Sequence, residues 1–175
     1  MKKLIIINGT MGAGKTTVSR LLMKDLQPSV FLDGDWCWDM NPFIVNDENK
    51  SMVIDNITCL LKSFLRNTGY EYVIFCWVIH QEDIFRQILE PLGGCEFELY
   101  KVTLICSEEA LKLRLQADVA AGIRQPDVIG RSVARIPLYE RMDTFKVDVS
   151  GISPQQAAHN IAEIVKSGAD NGEGL

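Results

Sequence analysis

The alternation of apolar and polar positions divides the chain into strand-like and helix-like blocks. Leu4 to Ile7 is an unbroken apolar run with β-branched residues, the pattern of a strand covered on both faces of a parallel sheet. A glycine-containing loop over 8–14 follows. Val18, Leu21, Leu22 and Leu26 then share one helical stripe, which Pro28 closes. Val30, Phe31 and Leu32 predict a second short strand, ending in Asp33-Gly34-Asp35. The polar stretch 46–50 can cap a helix that Ile54, Ile57, Leu61, Phe64 and Leu65 continue and Gly69 stops.

Residues 72–79 (YVIFCWVI) carry the strongest buried-strand pattern in the chain. Residues 81–89 read as helix, broken by Pro91 and Gly93-Gly94, and 97–106 as another strand. Ser107 is suited to cap a helix with Glu108 and Glu109 in its first turn and Leu111, Leu113 and Leu115 along it. A last strand is expected at 145–149, and Ser153-Pro154 opens a final helix through Val165. Strands alternating with helices predict a doubly wound α/β fold: three layers about a central parallel sheet of about five strands, joined by right-handed crossovers. A single domain is expected over 1–168, with a flexible Gly/Asp/Asn-rich tail at 169–175. In such sheets the ligand sits at the carboxyl ends of the strands.

Bulk properties narrow the picture. A length of 175 residues suits one domain with a real core, and 47% hydrophobic with 23% charged residues is ordinary for a soluble protein. The net charge of −5 argues against a nucleic-acid or anionic-membrane partner. The cysteines at 37, 59, 76, 95 and 106 form no C-x-x-C pair and read as reduced, buried thiols, so a cytoplasmic location is expected. The apolar run near the start is too short for a signal peptide or membrane span. A monomer or homodimer is expected.

The candidate chemistry lies in the first loop. Gly9-Thr10-Met11-Gly12-Ala13-Gly14-Lys15-Thr16-Thr17 contains G-x-x-x-x-G-K-T directly after a buried strand and before a helix, the context a P-loop requires. Glycines let backbone N–H groups turn inward as an anion nest, and the helix beginning near Lys15 aims its positive end at the same point. Lys15 can reach the β- and γ-phosphates and Thr16 can place its hydroxyl on Mg²⁺. The expected ligands are ATP and Mg²⁺; the N-K-x-D guanine signature is absent. Asp33 and Asp35, at the mouth of the next strand, can divide the two acidic duties of a kinase: Asp33 at the metal, Asp35 at the acceptor hydroxyl. The alternative for this D-G-D is a surface turn.

G-T-M-G-A-G-K-T-T followed by L-D-G-D-W resembles the small P-loop phosphotransferases, a group that includes shikimate, gluconate and adenylylsulfate kinases and chloramphenicol phosphotransferase, with nucleoside monophosphate kinases as cousins. The resemblance implies the three-layer P-loop NTPase fold with an arginine-bearing lid at about 121–137. In it Arg124, Arg131 and Arg135 would approach the transferring phosphate, Arg131 and Arg135 sharing a helix face. The alternative is a solvated basic helix paired with Asp127 or Glu140. The resemblance also implies that Arg114 and the turn containing Ser150 and Gly151 lie beside adenine.

Trp36, Trp38, Met40, Pro42 and Phe43 follow the acidic pair, and His80 ends the third strand run. Trp36 and His80, with Asp33, Asp35 and Arg135, are candidate acceptor contacts; core packing is preferred for Trp77. No arginine or lysine cluster lies between 36 and 49, which disfavours a strongly anionic acceptor, although Arg66 and Arg86 could serve one. The expectation is therefore an ATP- and Mg²⁺-dependent kinase acting on a hydroxyl of a small molecule. The alternatives are a nucleoside or nucleoside monophosphate kinase, or a regulatory NTPase with no small-molecule acceptor.

Overall fold

The structure is a computed structural model and describes residues 1–168; the tail expected at 169–175 lies outside the described residues. Strands β1 (Lys2–Asn8), β2 (Ser29–Asp33), β3 (Tyr72–Cys76), β4 (Phe97–Ile105) and β5 (Phe145–Asp148) form one sheet in the order β2-β3-β1-β4-β5. Every neighbouring pair is parallel. The helices are α1 (Lys15–Asp25), α2 (Asp47–Arg66), α3 (Glu82–Leu89), α4 (Glu108–Ala120), α5 (Val128–Val133), α6 (Ile136–Glu140) and α7 (Pro154–Ser167).

The layers follow from the two-residue period of a strand. On β1, Ile5 and Ile7 face a core shared with Val18 and Leu22 of α1, Leu111 and Leu115 of α4, and Ile161 and Val165 of α7. Leu4 and Ile6 face the opposite core, built with Val53, Ile57 and Leu61 of α2 and Phe85 and Ile88 of α3. All four β1 side chains are fully buried, which is why the strand reads as a continuous apolar run rather than an alternation. The helix starts use the expected caps: Asn46, Ser107 and Ser153 accept from the amides of Asn49, Ala110 and Gln156.

Three expectations are corrected. The third strand ends at Cys76, not at 79. Trp77 N still donates to the Ile7 carbonyl at 3.1 Å, but the chain then leaves the ladder, and the buried Asn8 Nδ2 donates to the Ile79 carbonyl at 2.9 Å. Trp77 and Ile79 stay buried, so the apolar pattern outruns the strand. Arg131 and Arg135 do not share one helix: Arg131 lies in α5, whereas Arg135 caps α6, because α5 stops at Val133. The cysteines are free, but only Cys76 and Cys106 are buried and Cys59 is exposed. On α4, Leu111 and Leu115 are buried while Leu113 faces outward, 68% exposed.

Candidate active site

β1 runs through the middle of the sheet, so the loop after it emerges at the centre of the carboxyl edge. Gly9, Gly12 and Gly14 all have positive φ there. At Gly12 the need for glycine is double: φ is +85°, and a Cβ would come within 2.7 Å of Leu115 Cδ2. The loop therefore lies tight on α4 and turns around Lys15. Lys15 Nζ donates to the Thr10 carbonyl at 3.0 Å. Burial pushes its ammonium pKa down, while Cys76, Asp35 and Asp33 pull it up. An anion in the loop would favour the charged form further.

Asp33 ends β2 opposite this loop, in register with Cys76 of β3. Its Oδ2 accepts from Thr16 Oγ1 at 2.6 Å and its Oδ1 from the Asp35 amide at 3.1 Å, which caps the 3-10 turn Gly34–Trp38. Thr16 and Asp33 are hard oxygen donors placed together, as Mg²⁺ requires. Among the described residues no group of three or more His, Cys, Asp or Glu side chains could hold a metal by themselves. A Mg²⁺ ion at Thr16 and Asp33 would thus complete its shell with phosphate oxygens and water, its ordinary habit in kinases.

A cleft of about 320 Å³ brings together the loop, Lys15, Thr16, Asp33, Asp35, Arg114 and Arg124. Helix α2 contributes none of these; the cleft lies at the carboxyl edge of the sheet, between the glycine loop and α4. Asp35 lines it and is exposed, yet partial desolvation raises its carboxyl pKa first and Asp33 second, with Lys15 and Arg124 opposing. A smaller cavity of about 190 Å³ opens beside it between Ala13, Gly14 and Thr17, the Arg114 side chain, Val149, Ile152 to Pro154, and Ala157, with Ser150 and Gly151 outside its lining. It is mostly apolar-walled and adjoins the glycine loop, a shape suited to a flat base next to its phosphates. Arg114 donates to the Val149 carbonyl, and Ser150 Oγ accepts from the Ser107 amide at 2.8 Å while donating to Asp148 at 2.5 Å. Gly151 is exposed on the same turn.

The arginines of 121–137 go to different places. Arg124 Nε pairs with Asp118 at 3.0 Å inside the cleft. Arg131 is exposed and pairs with Asp127 at 3.0 Å. Arg135 is half-buried near His80, whose pKa is lowered by burial first and Arg135 second. Trp36 is 52% exposed, sets its ring edge-on to Phe31 at 5.4 Å and is not among the residues that line the cleft. Two further participants escaped the reading of the sequence. Asp118 lies four residues after Arg114 on α4, a spacing that puts both on one helix face and could have revealed it. Asn8 joins β1 to Ile79 and accepts from Thr103 Oγ1 at 2.5 Å; nothing in its sequence context marks that.

A parallel sheet with a P-loop at its centre and an acidic pair at the neighbouring strand end defines a nucleotide-binding phosphotransferase of the P-loop small-molecule kinase type. The chain belongs to the AAA domain family, whose model matches residues 5–128. It is 27% identical over 182 residues to the shikimate kinase of Streptococcus gordonii, covering 92% of this chain and 97% of that one. In fold it is similar to the tunicamycin resistance protein of Deinococcus radiodurans (TM-score 0.68, 18% identity, 94% and 96% of the two chains). A gluconokinase from Sinorhizobium meliloti is also similar (TM-score 0.64, 18% identity, 96% and 98%). Among the described residues no helix is long and apolar enough to cross a membrane.

Proposed function

We propose that the protein transfers the γ-phosphate of ATP, in the presence of Mg²⁺, to a hydroxyl of a small molecule. The observation that carries this reading is the pairing of Thr16 Oγ1 with Asp33 Oδ2 at 2.6 Å, one residue from Lys15 and two from Asp35, in one cleft. In this reading the loop amides and Lys15 hold the β- and γ-phosphates, with the base between Arg114 and the Ser150–Gly151 turn. Thr16 and Asp33 hold Mg²⁺, which when bound neutralises charge on the phosphates. Asp35 orients the acceptor hydroxyl and takes its proton. Arg124 meets the migrating phosphoryl charge. Catalysis is then positioning and electrostatic stabilisation. Residues 1–168 act as one domain, and the lid is the exposed stretch 121–127 around Arg124, a narrower segment than 121–137. The rest of that range is anchored by Val128 and Ser132, both buried, and Arg131 stays on the surface in its pair with Asp127.

Arg135 and His80 line the acceptor side in this reading. Arg86, which could serve a nucleoside monophosphate, is already paired with Asp83 on the exposed face of α3, and this favours the small hydroxyl acceptor. The test is phosphoryl transfer from labelled ATP to a panel of hydroxylated metabolites, with shikimate and gluconate first because the relatives and fold neighbours act on such compounds. Lys15→Ala is expected to lose transfer entirely. Magnesium-dependent ATP binding with no transfer to any acceptor, and turnover only on adding a protein partner, would favour the regulatory NTPase instead.

A further inference from the structure

Trp77 is 8% exposed in the core beneath α2, yet its Nε1–H is buried with no hydrogen-bond partner. Buried indole donors normally find one. The place of the ring is set by Gly34: a Cβ there would lie 2.5 Å from Trp77 Cγ and 2.7 Å from Cδ1, the carbon bonded to Nε1. The five-membered edge of the indole therefore lies against the backbone between the two aspartates. Gly34 is glycine because the ring occupies the space of its side chain.

The acceptors within that neighbourhood are few. Each Asp33 oxygen already accepts one hydrogen bond, from Thr16 Oγ1 and from the Asp35 amide. Asp35 follows Gly34 directly, lines the cleft, and has no hydrogen bond to its carboxylate from Lys15, which donates to Thr10 instead. The Trp77 N–H also acts on Asp35 in the direction that favours its charged form.

We propose that Trp77 is a positioning residue: its Nε1–H closes on one carboxylate oxygen of Asp35 and leaves the other facing the acceptor hydroxyl. This rests on the reading of Asp35 as the group that orients that hydroxyl. Catalytic hydrogen bonds are commonly long before the Michaelis complex forms and tighten within it. An indole N–H suits the task because it donates only, and this ring is buried against the Gly34 backbone.

Two measurements test it. The chain has three tryptophans, so ¹⁵N-labelled protein gives three indole signals, and Trp36→Phe and Trp77→Phe assign two of them. With ATP, Mg²⁺ and shikimate present, Asp35→Ala is expected to move the Trp77 indole proton upfield and speed its exchange with water. Trp77→Phe is expected to lower kcat about 10-fold while KM for ATP stays within about twofold, because one charge-assisted hydrogen bond is lost and the phosphate site is untouched. A Trp77 signal indifferent to Asp35→Ala overturns the contact. An unchanged kcat in Trp77→Phe overturns the positioning role. If the signal follows Asp35 but wild-type protein phosphorylates no acceptor, the proposed function fails while the contact stands.

Discussion

Asp35 carries the sharpest residue-scale consequence. Exposed though it is, its carboxyl pKa is raised by partial desolvation and by Asp33. To accept a proton it must be ionised, so kcat is expected to fall with decreasing pH at values above the ordinary carboxylate range near 4. Asp35→Asn is expected to lower kcat about 100-fold or more and to remove that acid limb, as measured by a pH–rate profile. The folding consequence has the opposite sign. A raised carboxyl pKa means the folded state holds its proton more tightly than the unfolded chain, so stability is lost as pH rises through the shifted value. Asp35→Asn is therefore expected to melt slightly higher than wild type at neutral pH, a stability gain bought with activity. Equal melting temperatures with an unshifted profile would contradict the environment described for this side chain.

At the scale of elements, the phosphate loop is held from two sides. Leu115 of α4 packs where Gly12 has no Cβ, and Thr10 Oγ1 donates to the Ser132 carbonyl of α5 at 2.9 Å. The second contact couples the loop to the helix after 121–127. Thr10→Val keeps the side-chain volume but removes this bond, leaving the Ser132 carbonyl with only the Arg135 amide at 3.2 Å, at a cost of about 0.5–1.5 kcal/mol. Chemical denaturation is expected to show that loss, with ATP affinity reduced as well, because the loop that presents the amides loses its tie to α5. On the other face, α2 is held by Val53, Ile57, Leu61 and Leu65. Leu61→Ala is expected to cost about 2–5 kcal/mol through a cavity in the second core. It should leave the KM for ATP nearly unchanged, since α2 touches none of the phosphate side of the cleft.

For the whole molecule, ligand binding and closure are linked. The stretch 121–127 is exposed apart from Arg124, and Gly122 there has φ +72°, whereas Val128, Ser132 and Tyr139 just beyond are buried. ATP with Mg²⁺ is expected to slow amide exchange at 121–127 and at the loop 9–14, with little change at 128–140, as read by hydrogen–deuterium exchange. Nucleotide at about 100 times its Kd stabilises the folded state by about 2.7 kcal/mol, which for a chain of this size is about 5–10 °C in melting temperature. Chelating the metal is expected to remove part of that shift, and Thr16→Val with Asp33→Asn the same part without chelator.

The element order, the parallel sheet, the phosphate loop and the acidic pair are legible in the one-dimensional pattern, because each depends on local physics. A run buried on both faces, a glycine that must turn, a capping serine and a carboxylate at a strand end are all written within a few neighbouring residues. Tertiary structure alone decided where the arginines of 121–137 point, that Trp36 turns to Phe31, that β3 yields to Asn8 at Cys76, and that Gly34 makes room for Trp77. Those outcomes depend on contacts between residues far apart in the chain, here Asn8 with Ile79 and Gly34 with Trp77. No periodicity or spacing encodes which distant side chain will fill a given space.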